Sequence, residues 1–127
     1  MNNLCNSTSV QIEGGAIRGS ICGSVVRFLG IPYAAPPQRF ELPRLPVSWD
    51  GVRNMDDPGP PAPHRIRPFP AIDPSPLVGH GSDGSDGDYL RLNIWAPREA
   101  VAAPVMVFIH GGGFVAGSKE DRKSTRL

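Results

Sequence analysis

With 127 residues, 39% of them hydrophobic and 20% charged, the chain has the length and composition of one globular domain at most. A formal charge of +1, with no interleaving of aromatic and basic residues, argues against a nucleic-acid partner, and no stretch approaches the ~20 apolar residues of a membrane span. Gly 15 and Pro 15 make up just under a quarter of the chain, so turns and loops take much of its length and the core has to come from few segments.

In chain order, the opening MNNLCNSTSV has neither the basic n-region nor the apolar run of a secretory signal, which points to a cytoplasmic location. Asn6-Ser7-Thr8 fits the glycosylation triplet, a pattern frequent by chance that needs a secretory route. Cys5 and Cys22 have neither CxxC spacing nor a His/Cys cluster, so they indicate no zinc site and no disulfide framework. Val10, Ile12, Ala16, Ile17 and Ile21 form short apolar segments split by Gly14-Gly15, and Val25 to Leu29 is a β-branched and aromatic run opened by Gly23-Ser24. These read as antiparallel strands joined by tight turns.

After Gly30 the prolines of IPYAAPPQRFELPRLP remove donors and bias their predecessors toward extended backbone, so an ordered extended loop is expected up to Trp49-Asp50-Gly51. Asp57 to Asp88, rich in Pro, Gly, Asp and Ser, is longer than the loops of compact domains. Leu90, Leu92 and Ile94 alternate with Arg91 and Asn93, the pattern of a half-buried strand over Tyr89 to Trp95 that Pro97 closes. Val105 to Ile109, five apolar residues without alternation, reads as a central strand covered on both faces. At Ser118 the composition changes abruptly: KEDRKSTRL holds both lysines and a single apolar side chain, Leu127.

The chemistry concentrates in VFIHGGGFVAGS. Glycines directly after a buried strand allow positive φ and close approach, so their N–H groups can turn toward a ligand, either an acyl-transfer oxyanion or a phosphate. The phosphate template fails in its order: Gly112, four residues and Gly117 are followed by Ser118-Lys119, whereas a P-loop places the lysine before the hydroxyl residue. A plain glycine-rich turn would suffice for GGG alone, but His110 before it and Phe114 and Gly117-Ser118 after it favour the oxyanion reading.

Five blocks in order, Phe28-Leu29-Gly30-Ile31-Pro32-Tyr33-Ala34 with Pro36-Pro37, Arg39-Phe40, Trp49-Asp50-Gly51, Leu92-Asn93-Ile94-Trp95 and His110-Gly111-Gly112-Gly113-Phe114, resemble the type-B carboxylesterases, which include the cholinesterases. The resemblance runs from about Val10 to Ser118, roughly a quarter of a family member. It implies an α/β fold, here the incomplete, N-terminal β-rich portion of an α/β-hydrolase in residues 1–118, followed by an unmatched tail over 119–127 that looks like sequence joined to a truncated reading frame. It also implies a serine carboxylesterase acting on a small-molecule ester, without a cofactor or metal, in which Gly112 and Gly113 match the two glycine oxyanion donors and the third donor is the N–H after the nucleophile.

The rest of that machinery is not in these residues. No serine sits in a G-x-S-x-G frame; Ser82 and Ser85, in HGSDGSDGD, come closest. By family position His110 holds the loop and is not the triad base, while His64 and His80 fall in the proline-rich segment, and all three are expected to be structural or exposed. The fragment is therefore expected to be inactive alone, and prone to aggregation or partial disorder because nothing covers its central strand. Where the family usually has Glu-Asp-Cys-Leu this chain has Gly87-Asp88-Tyr89-Leu90, which lacks the acidic partner of Arg39 and a half-cystine, and the spacer from Pro37 to Arg39 is short. Asp83, Asp86 and Asp88 do not meet the EF-hand ligand pattern and read as a solvated turn. The rival reading is a catalytically silent, cholinesterase-like binding or adhesion domain; the hormone-sensitive-lipase branch also has His-Gly-Gly-Gly, but the FLGIPYA block argues against it.

Overall fold

The computed structural model describes residues 6–38, 40–64, 71, 87–113 and 117–119. They fall in two units, Met1–Gly59 with Leu90–Pro104 and Pro60–Tyr89 with Val105–Leu127. The first unit is a five-stranded sheet, and no helix occurs among the described residues. Its strands are β1 (Asn6–Ile12), β2 (Gly15–Cys22), β3 (Val25–Pro32), β4 (Val52–Asn54) and β5 (Arg91–Pro97). The first three run as an antiparallel meander through turns at Glu13-Gly14 and Gly23-Ser24, where the glycine-containing breaks in the apolar pattern place them.

β2 is forked. One edge pairs with β1 from Gly15 to Ile21, while the other is divided between β4, parallel at Ala16 to Arg18, and β3, antiparallel at Ser20 to Cys22. Met55 ties the fork: its N–H donates to the Arg18 carbonyl at 2.7 Å and its carbonyl accepts from the Leu29 N–H at 2.8 Å. With no regular pattern and only three residues, β4 carries no periodic signal. It is fixed instead by Trp49, whose backbone N–H donates to the Gly14 carbonyl and whose indole Nε1–H donates to the Ala16 carbonyl at 3.0 Å. The Arg53 guanidinium lies 4.3 Å from the centre of the same ring, a cation–π contact. The Trp49-Asp50-Gly51 block thus clamps the first hairpin turn.

The core is small: Ile17, Phe28, Ile31 and Met55 are buried, with Ile12, Val26 and Trp49 packed against them. β5 completes the sheet against β3, opposing Ile94 to Phe28 and Leu92 to Ile31, with a register shift between those two pairs. Gly30 occupies that irregularity at φ 75°, its N–H donating to Asn93 Oδ1 at 2.9 Å. A Cβ there would lie 2.2 Å from the Asp57 carbonyl oxygen, so the glycine of FLGIPYA is sterically required. Arg91 reaches the Gly30 carbonyl from the same strand, at 3.3 Å.

Two expectations are corrected. The strand expected over Tyr89 to Trp95 runs from Arg91 to Pro97, because Pro97 can end an edge strand from within it. Val105 to Ile109 forms no strand: Val105 is 87% exposed and Ile109 83%. Five apolar residues supply the wish for burial but not the ladder partners, and no described strand pairs with them. The proline-rich stretch after Tyr33 is, as its sequence implies, without helix; an isolated bridge joins Ala35 and Arg44. Most of Asp57 to Asp88, with His80, Ser82, Asp83, Ser85 and Asp86, lies outside the described residues, as do Cys5, Arg39, Phe114 and residues 120–127.

Candidate functional site: a glycine loop at positive φ

The glycine run belongs to the second unit. Gly112 stands at φ 127° and Gly113 at φ 60°, conformations that L side chains rarely adopt. Both are exposed, and among the described residues no group accepts a hydrogen bond from either N–H. Two successive donors on adjacent glycines, free of side chains, can meet a single anionic oxygen. Gly111 differs from its two successors in that its φ is not positive.

Two features behind the run were not legible in its pattern. His110 Nδ1 lies 2.8 Å from the Gly111 carbonyl oxygen. A carbonyl oxygen only accepts, so Nδ1 carries the proton and Nε2 is left for other partners. Gly117, buried and at φ 94°, packs against this contact: a Cβ on it would lie 2.2 Å from the Gly111 oxygen and 2.7 Å from His110 Nδ1. Gly117, the second glycine of the spacing that superficially suggests a P-loop, is the position that makes this close approach to Gly111 and His110. Ser118 is buried beside it, and the Lys119 ammonium donates to the Pro60 carbonyl at 2.6 Å.

The other candidates lie on other segments. His64 is half-buried with Nδ1 2.8 Å from the Ala62 carbonyl oxygen, the local contact of a structural residue. Cys22 ends β2 and Asp88 lies just ahead of β5 in the chain. No group of three or more His, Cys, Asp or Glu side chains able to hold a metal occurs among the described residues, and no described helix is long and apolar enough to cross a membrane.

The chain is similar in sequence and in structure to known proteins. The model of the carboxylesterase family matches residues 6–127, a span that includes the segment after Ser118. Phenmedipham hydrolase of Pseudarthrobacter oxydans is 38% identical over 109 residues, covering 82% of this chain and 21% of that protein. Neuroligin-2 of Rattus norvegicus is 31% identical, covering 86% of this chain and 18% of that protein. Among solved structures, a PNB esterase superposes with a TM-score of 0.68 at 30% identity, over 90% of this chain and 23% of that one. The chain therefore spans about a fifth of the length of the relatives it matches. On the strength of the family match and the superposition, the chain belongs to the carboxylesterase family and carries a strand-rich portion of an esterase fold of the α/β-hydrolase type.

Proposed function

We propose that the protein to which these residues belong hydrolyses a small-molecule carboxylic ester through a serine nucleophile, and that Gly112 and Gly113 supply two of the oxyanion donors. The observation that carries the reading is the pair of exposed glycines at positive φ directly after His110 and Gly111, whose N–H groups have no acceptor among the described residues. When a nucleophile attacks the ester carbonyl, the oxygen gains negative charge; donors already aimed at that position stabilise it without reorganising during the reaction. Because no serine here lies in a G-x-S-x-G frame, the nucleophile, base and acid are assigned to residues beyond these, and these 127 residues alone are inactive. Esterase relatives support the reaction class; they do not select an ester.

A second reading has one observation in its favour: neuroligin-2, whose name carries no esterase or hydrolase, is also a relative. In that reading the domain is a catalytically silent binding or adhesion module. Two oxyanion donors held at positive φ serve no purpose there, which favours the enzyme. The full-length protein, assayed with a p-nitrophenyl ester, separates the two: turnover that falls in Gly112→Ala, where an L side chain is strained at φ 127° and the donor shifts with the backbone, supports the enzyme. Absence of turnover, with a residue other than serine at the nucleophile elbow, supports the binding module.

A further inference from the structure

We propose that His110 and Gly117 are positioning residues for the Gly112 donor: the Nδ1–H of His110 pins the Gly111 carbonyl, and Gly117 leaves the space in which the pin is made. The inference rests on the oxyanion reading above and adds to it the device that sets the donor's direction.

Donor and pinned oxygen share one peptide unit. The Gly111 carbonyl and the Gly112 N–H belong to the same planar group and, since no described peptide bond is cis, they point in opposite directions. Whatever fixes the oxygen therefore fixes the donor. Nothing else in the run does so: Gly111, Gly112 and Gly113 are exposed and have no side chains to pack, so the peptide between the first two is free to turn over. A flip would present the carbonyl where the N–H had been and set an acceptor against a developing oxyanion. His110 Nδ1, 2.8 Å from the Gly111 oxygen, opposes that flip by holding the oxygen on its own side.

Gly117 is the second part of the device. A Cβ at this position would sit 2.2 Å from the Gly111 oxygen and 2.7 Å from His110 Nδ1, closer than real Cβ atoms come to either. Its φ of 94° excludes other residues independently of space. Residue 117 never touches the oxyanion in this arrangement, yet any side chain on it expels the group that orients the donor.

The test uses the full-length protein and an isosteric pair. Asparagine places its Nδ2 donor as many bonds from Cα as the His110 Nδ1, whereas aspartate of the same shape can only accept. His110→Asn keeps kcat within about 3-fold of wild type, while His110→Asp lowers kcat about 100-fold, the effect of a lost oxyanion donor. KM changes little in either, and affinity for a trifluoromethyl ketone, which mimics the tetrahedral intermediate, falls in step with kcat. Gly117→Ala gives the same loss in kcat with KM retained. If Asn and Asp variants turn over alike, or the loss in the Asp variant lies in KM with analogue affinity intact, the positioning role is overturned. If His110→Asp does not fold, Gly117→Ala decides: a folded Gly117→Ala protein with wild-type kcat overturns the inference, and a selective fall in kcat supports it. A wild-type protein that hydrolyses no ester overturns the functional reading and this inference with it; an active wild type with indistinguishable variants overturns the inference alone.

Discussion

Phe28 and Phe108 sit in segments of similar character, short apolar runs free of proline, but Phe28 is 7% exposed and Phe108 67%. Around Phe28 the chain supplies everything a strand needs. β2 and β5 lie alongside β3, Ile94 stands opposite Phe28 in register, and Met55 accepts from the Leu29 N–H. Around Phe108, in the more uniformly apolar of the two segments, the described residues supply no ladder partner and no covering layer. Hydrophobicity recruits a segment to an interior; partners make it a strand. The all-apolar run, legible as a buried strand, depends more on other residues than the alternating ones do, because both of its faces and both of its edges must be met from elsewhere.

The comparison breaks most directly if the two phenylalanines prove energetically alike. In residues 1–127, Phe28→Ala lowers amide-exchange protection across β2, β3 and β5, while Phe108→Ala leaves that protection unchanged. Equal losses would mean that the second segment is packed after all. A smaller effect sharpens the description of the sheet itself. Gly30→Ala drives a Cβ into the Asp57 carbonyl at a positive φ and is expected to cost about 2–3 kcal/mol, with amide exchange rising first at Leu29 and Asn93. Retained stability would place the β3–β5 irregularity elsewhere. The smallest effect is a gain. Ala102 holds φ 51°, so Ala102→Gly in the loop after β5 should raise stability by about 0.5–1 kcal/mol, read as a shift in the thermal midpoint.

Legibility followed the range of the interactions. The β1–β3 meander could be read because its strands and turns are encoded side by side: Val25 to Leu29 follows Gly23-Ser24, and the apolar positions of β2 follow Gly14-Gly15. β5 was legible from the alternation of Leu92 and Ile94 with Asn93, and the family blocks of FLGIPYA and LNIW turn out to meet across the β3–β5 irregularity, where Asn93 receives the Gly30 N–H. β4 was not legible. Val52–Asn54 is exposed along its length and owes its place to Trp49 and Met55 on either side, contacts with distant residues that no local pattern records. At the glycine loop, positive φ was foreseeable from residue type, since only glycine tolerates it cheaply. The hydrogen bond from His110 to Gly111 and the close approach of Gly117 were hidden, because they depend on how the chain returns on itself.

The fork in β2 also bears on the order in which the sheet can assemble. β1, β2 and β3 meet across the short turns at Glu13-Gly14 and Gly23-Ser24, so their pairing closes little chain. β4 must bring back the whole proline-rich loop from Pro32, and β5 returns only after the longer excursion beyond Gly59. Loop-closure entropy grows with the length enclosed, so the meander is the natural nucleus and the return of Met55 to Arg18 and Leu29 a late event. Until that return, half of one edge of β2 stands open to any passing strand, and the short segment after Trp49 is the chain's own means of sealing it.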